Sequence, residues 1–367
     1  MSTCATASRM AAEPLAGTAA TARTWLLIEQ SGPWGAQALT DSHLDPAVGR
    51  ALETATADTG VRVALIRRPG RHADRRAGAL RRVFLAHTSP GRCWIRSTRI
   101  ADPASLRDLD FAALSAGEHG GIWEAYEGEP PVLVCTNGKR DRCCAVLGRP
   151  LAAELAADGM EAWEVTHIGG HRFSPTLFVL PYGYAYGRAE APLVKDAVVA
   201  ARDGRVVIDH CRGRSTWDRP AQAADLAVRE AIGEERAAVL DVTGTEVRPS
   251  AGGDSPSWVV TLAHADGRSW QVVVEQRTGD TAAPASCGAA IAPPTYMFVS
   301  GITAHSPAAD PVVDLVADSV GGPVASADAS HAEPLAGSAS EPVTGPVVGA
   351  VTGSAIGSVA GSVVRTT

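Results

Sequence analysis

Two cysteines separated by eight residues are followed, after twenty-two more, by two histidines separated by three. The first pair is Cys135 and Cys144 in VCTNGKRDRCC (134–144), and the second is His167 and His171 in THIGGH (166–171). Thiolates and imidazoles together ligate zinc or a two-iron cluster. A fold that uses all four must therefore bring two loops to one point, and that requirement constrains the chain more than any other segment does.

The spacing favours the larger group and leaves zinc open. Structural zinc sites usually draw cysteines from knuckles with two to four intervening residues. A gap of eight suits a loop that wraps around something bigger than one ion. The histidines have the i, i+4 spacing of a helical metal pair, but Ile168-Gly169-Gly170 lies between them, and each glycine disfavours helix by about 1 kcal/mol. Adjacent glycines instead permit close approach of backbone to a bulky ligand.

VCTNGKRDRCC, GRPLAAEL (148–155) and HIGGHRFSPTLFVLPYG (167–183) together resemble the sucrase/ferredoxin-like family of thioredoxin-like ferredoxins. The resemblance is specific over about residues 130–190 and looser over about 24–300. It implies a [2Fe–2S] cluster within a thioredoxin-like fold, with Cys135 and Cys144 as the cysteine ligands and His167 and His171 as the histidine ligands. Cys143, adjacent to Cys144, is the alternative for the second position. Glycoside hydrolysis needs two carboxylates flanking a sugar site, and no such pair is identifiable.

At 367 residues the chain is long enough for two or three small domains. A formal charge of −7 argues against nonspecific attraction to nucleic acid. Seven clustered cysteines do not form a disulfide framework, which points to a reducing cytoplasm. Residues 1–23 lack a continuous apolar stretch behind a basic start, so they are expected to be a disordered leader rather than a secretory signal. Residues 303–367 contain no Phe, Trp or Tyr and one Lys or Arg, Arg365; a disordered low-complexity tail is expected there. Gly349, Gly353, Gly357 and Gly361 have the spacing of a membrane helix-packing face, but the run lacks Leu and Phe. The repeat is read as low complexity, with no membrane association.

Between the tails the order of elements predicts an α/β fold. A small α/β lobe is expected over 24–120, with strands near 24–30, 61–66, 82–87 and 93–98 and helices near 46–58 and 103–115. A thioredoxin-like ferredoxin domain follows over 121–235. In it, strands at 131–135 and 161–165 end at the two ligand loops, a helix spans 145–157, and strands at 176–181 and 184–187 form a hairpin. A helix at 219–232 leads to a small β-rich cap over 236–302, with strands at 256–264 and 269–276 around Asp266-Gly267.

Other candidate features favour simpler explanations. Cys143 beside Lys139, Arg140 and Arg142 has the setting of a low-pKa thiol, yet no Cys-x-x-Cys is present. The arginines between Arg67 and Arg82 read as a solvated loop between two strands, with docking of an acidic redox partner as the alternative. Cys93, Cys211 and Cys287 lack nearby ligand partners and are expected to be structural. There is no Walker loop, no G-x-G-x-x-G after a strand and no G-x-S-x-G elbow. The sequence thus points to a redox protein with an unidentified partner protein, or to a zinc-binding scaffold built on the same four residues.

Overall fold

The computed structural model describes residues 3–70, 79–248 and 255–305. The glycine repeat and Arg71, Arg75 and Arg76 lie outside the described residues. The chain opens with α1 (Cys4–Met10) and then β1 (Thr24–Glu29), α2 (Ala38–Asp41), α3 (Pro46–Thr56), β2 (Val61–Arg67), β3 (Arg81–His87) and β4 (Trp94–Ile100). A 3-10 turn (Pro103–Asp108) and α4 (Phe111–Ser115) stand where a single helix is expected, and β5 (Glu124–Ala125) follows. Next come β6 (Val132–Cys135), α5 (Arg142–Ala157), β7 (Ala162–Val165), β8 (Leu177–Val179), β9 (Tyr184–Tyr186), α6 (Ala191–Arg202) and β10 (Cys211–Arg214). The remainder is α7 (Arg219–Ile232), β11 (Leu240–Arg248), β12 (Ser257–His264), β13 (Ser269–Thr278), β14 (Ala283–Pro284), β15 (Ile291–Ala292) and β16 (Thr295–His305).

Ten strands form one mixed sheet in the order β10-β9-β8-β6-β7-β2-β1-β3-β4-β5. The order is a palindrome of two equivalent halves. In each, the first two strands are parallel and flank a helical crossover, and the next three pair antiparallel outward from the first. The second half, β6-α5-β7-β8-β9-α6, has the arrangement expected of a thioredoxin-like unit, and the N-terminal lobe repeats it. The two units are not separate sheets, however. Antiparallel pairing of β2 with β7, Ile66 opposite Val165 and Arg67 opposite Glu164, makes them one.

Strand alternation distributes the core. Leu26 and Ile28 pack with Val48 and Leu52 of α3, and Val132 and Val134 pack with Leu151 and Leu155 of α5. The intervening residues, Trp25 and Leu27 in one half and Leu133 and Cys135 in the other, form a third cluster common to both halves. Trp25 stacks on Phe178 across the seam with ring centroids 4.6 Å apart. The seam also carries a buried ion pair, Arg67 to Glu164 at 2.7 Å, and the Arg67 guanidinium lies 3.9 Å over Trp34.

The β-rich cap is a four-stranded antiparallel sheet, β11-β12-β13-β16, packed on α7 through Val228, Leu262, Trp270 and Val272. Its last strand runs to His305, past the expected start of the tail at 303. The expected leader is corrected too. Thr3 caps α1, Cys4 is buried, and the backbone N–H groups of Gly17 and Thr18 donate to Arg212 O. Alanines suffice for this packing, because Ala19 and Ala22 are small enough to lie against the core shared by both halves.

Candidate metal centre

Cys135 is the last residue of β6, and its N–H donates to Thr176 O at 2.9 Å. The chain then turns at Asn137, whose carbonyl accepts from the N–H groups of Arg140 and Asp141. Asp141 caps α5 by accepting from Cys143 N at 2.8 Å, so the helix starts earlier than the expected 145. That start puts Cys144, fully buried, in the first turn and beside Cys135. One turn on, a Cβ at Gly148 would meet Cys135 O at 2.2 Å; only glycine lets the helix approach the strand end this closely.

The histidine loop is held largely by the N-terminal half. Leu65 of β2 donates to Thr166 Oγ1 at 3.1 Å and accepts from Thr166 N at 2.9 Å. Arg62 Nη2 donates to His167 O at 3.0 Å. Gly169 and Gly170 take left-handed φ values of +79° and +72°, and His171 opens a 3-10 turn to Phe173. The di-glycine therefore prevents helix between the histidines, as its composition predicts. Beneath the loop lies fully buried Arg212, which donates through Nη1 to Gly169 O at 3.3 Å and through Nε to Thr18 Oγ1 at 3.0 Å, and bonds Thr18 O through Nη2.

These elements bring donor atoms of Cys135, Cys144 and His167 within 4.8 Å of one another, a group able to hold a metal ion. His171 is outside that group, but its ring centroid is 5.0 Å from that of His167. Nδ1 of His167 and Nδ1 of His171 are both buried with no hydrogen-bond partner. Leaving such atoms unpaired costs about 1–3 kcal/mol each, and a bound metal would accept such lone pairs. The donors present fit a metal or cluster.

Electrostatics favour thiolate at Cys135 and thiol at Cys144. A hydrogen bond from Cys144 lowers the Cys135 pKa, assisted by His167 and the Ile168 N–H, against the opposing effect of burial. Cys144 is pushed up in turn by that same bond. Burial lowers His171, with Asp141 opposing, so the imidazole is neutral near pH 7 and free to ligate. Burial, aided by Arg172, brings Arg212 down to about 10, which still leaves it cationic. Arg62 and Arg212 both interact with Cys135, and Arg212 also with Cys144, whereas Lys139, Arg140 and Arg142 of the motif are exposed.

Other sequence candidates fall elsewhere. Arg67 and Arg68 are paired internally with Glu164 and Glu161, at 2.7 and 2.8 Å. Cys93 accepts from Arg214 Nη2 at 2.9 Å, and Cys211 is buried in the core. Cys287 is a correction: its Sγ is 3.2 Å from Cys143 and 3.6 Å from Cys4. Sequence spacing could not reveal this, because the three thiols come from distant segments. A cavity of about 350 Å³ lies on the Gly170 side of the histidine loop, lined in part by Glu13, Arg172 and Arg219. Among the described residues no helix is long and apolar enough to cross a membrane.

A family model described as Sucrase/ferredoxin-like matches residues 15–213, more than half of the chain. The matched span runs from the segment before β1 into β10, which is the ten-stranded sheet. No curated protein and no solved structure matches the chain.

Proposed function

The chain belongs to the sucrase/ferredoxin-like family, and from that premise we propose that it is an iron–sulfur redox protein. Cys135, Cys144, His167 and His171 hold a [2Fe–2S] cluster used for electron transfer or redox sensing. The observation that carries this reading is the convergence of the two buried thiols of Cys135 and Cys144 with His167, beside His171, and the Nδ1 of each histidine is buried without a partner. Zinc in the same four residues is the second reading. It is weaker, because one ion with bonds of about 2.0–2.3 Å needs all four donors around one point, and His171 lies outside the 4.8 Å group.

When bound, the cluster supplies a one-electron couple. Two neutral imidazoles in place of two thiolates would remove two negative charges and raise the potential, in the direction that Rieske centres differ from plant-type clusters. The protein's part is to hold geometry and charge. Arg62 and Arg212 fix the backbone carbonyls of His167 and Gly169 and place two cations beside the thiolates. If Nδ1 ligates, Nε2 keeps the ring proton, and His171 Nε2 is 3.8 Å from Asp141 Oδ2. With a cluster bound, negative charge gained on reduction would strengthen the hold of His171 on that proton and would link electron uptake to proton uptake.

The role is that of an electron carrier or an oxidoreductase component working with a partner protein in a reducing cytoplasm. A visible spectrum of anaerobically purified protein tests the reading: the expected result is a broad charge-transfer absorption that bleaches on reduction. A colourless protein overturns it.

A further inference from the structure

A second group of sulfur atoms stands beside the first, on the other side of Asp141. Cys4 Sγ is 3.4 Å from Cys143 Sγ and 3.6 Å from Cys287 Sγ, and Cys143 and Cys287 are 3.2 Å apart. Both Asp141 carboxylate oxygens are 3.8 Å from Cys4 Sγ. Donor atoms of all four residues lie within 4.8 Å of one another. The thiols come from α1, from the first turn of α5 and from the segment joining β14 to β15, so the convergence is tertiary and not an accident of local sequence.

We propose that Cys4, Cys143 and Cys287 bind one zinc ion as thiolates, with the Asp141 carboxylate as the fourth ligand. The distances suit it. Tetrahedral bonds of about 2.3 Å to sulfur and 2.0–2.2 Å to oxygen put sulfurs about 3.8 Å apart and sulfur and oxygen about 3.5 Å apart. Binding an ion would open the sulfur–sulfur edges from 3.2–3.6 Å and draw the carboxylate in from 3.8 Å, shifts of a few tenths of an ångström. Three thiolates and one carboxylate carry the same charge as a four-cysteine structural site. The carboxylate is already oriented: Oδ1 accepts from Cys143 N and Oδ2 from Cys287 N, each at 2.8 Å, which leaves lone pairs for a metal.

A disulfide explains the geometry less well. It would use two of the three thiols, yet all three approach one another about equally. The zinc would staple three segments that otherwise meet through polar contacts, such as Arg188 with Ser8 and Glu13 and Cys287 N with Asp141. The apolar cluster there is only Cys4, Ala5 and Cys143, with Cys287 packed against it. Cys4 and Cys287 also lie outside the residues matched by the family model, so the site does not follow from family membership.

Zinc K-edge X-ray absorption on the intact protein, expressed with zinc supplied, reads this site without interference from iron. The expected result is about one zinc per chain with a shell of three sulfurs near 2.3 Å and one oxygen near 2.0–2.2 Å. In a Cys4→Ser/Cys287→Ser double variant, zinc falls to below about a tenth of the wild-type content while iron and sulfide are retained. Cys287→His, which keeps a ligating side chain, retains zinc. No zinc in the wild type overturns the proposal. So does a shell of two sulfurs and two nitrogens, which would put zinc at Cys135, Cys144, His167 and His171, or a Cys143–Cys287 disulfide in the isolated protein. The wild-type shell decides the matter even if the double variant fails to fold.

Discussion

A Cβ added to Gly170 would stand 2.0 Å from Nη2 of Arg212. The guanidinium cannot retreat freely, since it is fully buried and bonded to Thr18 and Gly169. Gly170 also holds φ at +72°, a region that costs an L-residue about 1–2 kcal/mol. Gly170→Ala should therefore displace the histidine loop or the arginine beneath it. We expect a folded protein with markedly lower iron content than wild type after identical anaerobic purification. Full iron loading would show that the close approach is unimportant.

The ion pair between Arg67 and Glu164 joins the two halves of the sheet. Both side chains are at most 5 % exposed, and Glu164 Oε2 also accepts from Thr136 Oγ1 at 2.8 Å, one residue beyond Cys135. Glu164→Ala leaves a buried guanidinium without its carboxylate, at a cost of about 3–5 kcal/mol. Chemical denaturation should show that loss. Loss below about 1 kcal/mol would place the pair among ordinary surface bridges.

Much of this was legible because the relevant signals are local. The strand at Val132–Cys135 follows from an apolar run, and the helix expected at 219–232 is present as Arg219–Ile232, where the structure shows an Asp218 cap and a terminal Gly233. The paired motifs mark the two loops that bring Cys135, Cys144 and His167 together. The pairing of β2 with β7 was not legible, because nothing in either strand names its neighbour; hence the two units read as separate. Cys4 and Cys287 failed for the same reason, being 283 residues apart in the chain. The ordered start of the chain was missed because Ala and Thr carry a weak hydrophobic signal, and Ala19 and Ala22 are buried for their size. Arg62 and Arg212 looked like any other arginines in an arginine-rich chain.

Ligand register is testable by substitution. Cys144 packs in the same core cluster as Cys135, whereas Cys143 points to Cys4 and Cys287. Cys135→Ala or Cys144→Ala should abolish iron incorporation, while Cys143→Ser should keep most of it. If instead Cys143→Ser loses the iron and Cys144→Ser keeps it, the register is off by one residue.

Proton coupling gives a signed pH dependence. On the proposed reading the reduced state would bind the ring proton of His171 more tightly, with a pKa above that of the oxidised state. Between those two pKa values the midpoint potential should fall by about 59 mV per pH unit as pH rises, and it should be flat outside them. His171→Cys adds thiolate charge and should lower the potential and weaken the slope. Potentiometry from acidic to alkaline pH checks this, and a line flat throughout would remove the proton from the mechanism.

The central claim is that Cys135, Cys144, His167 and His171 hold a [2Fe–2S] cluster. Its most direct test is iron and acid-labile sulfide content of anaerobically purified wild type, with electron paramagnetic resonance after reduction. The account predicts about two iron and two sulfide per chain and a spin-half signal in the reduced state. Protein without sulfide, carrying zinc in a shell of two sulfurs and two nitrogens, would contradict it.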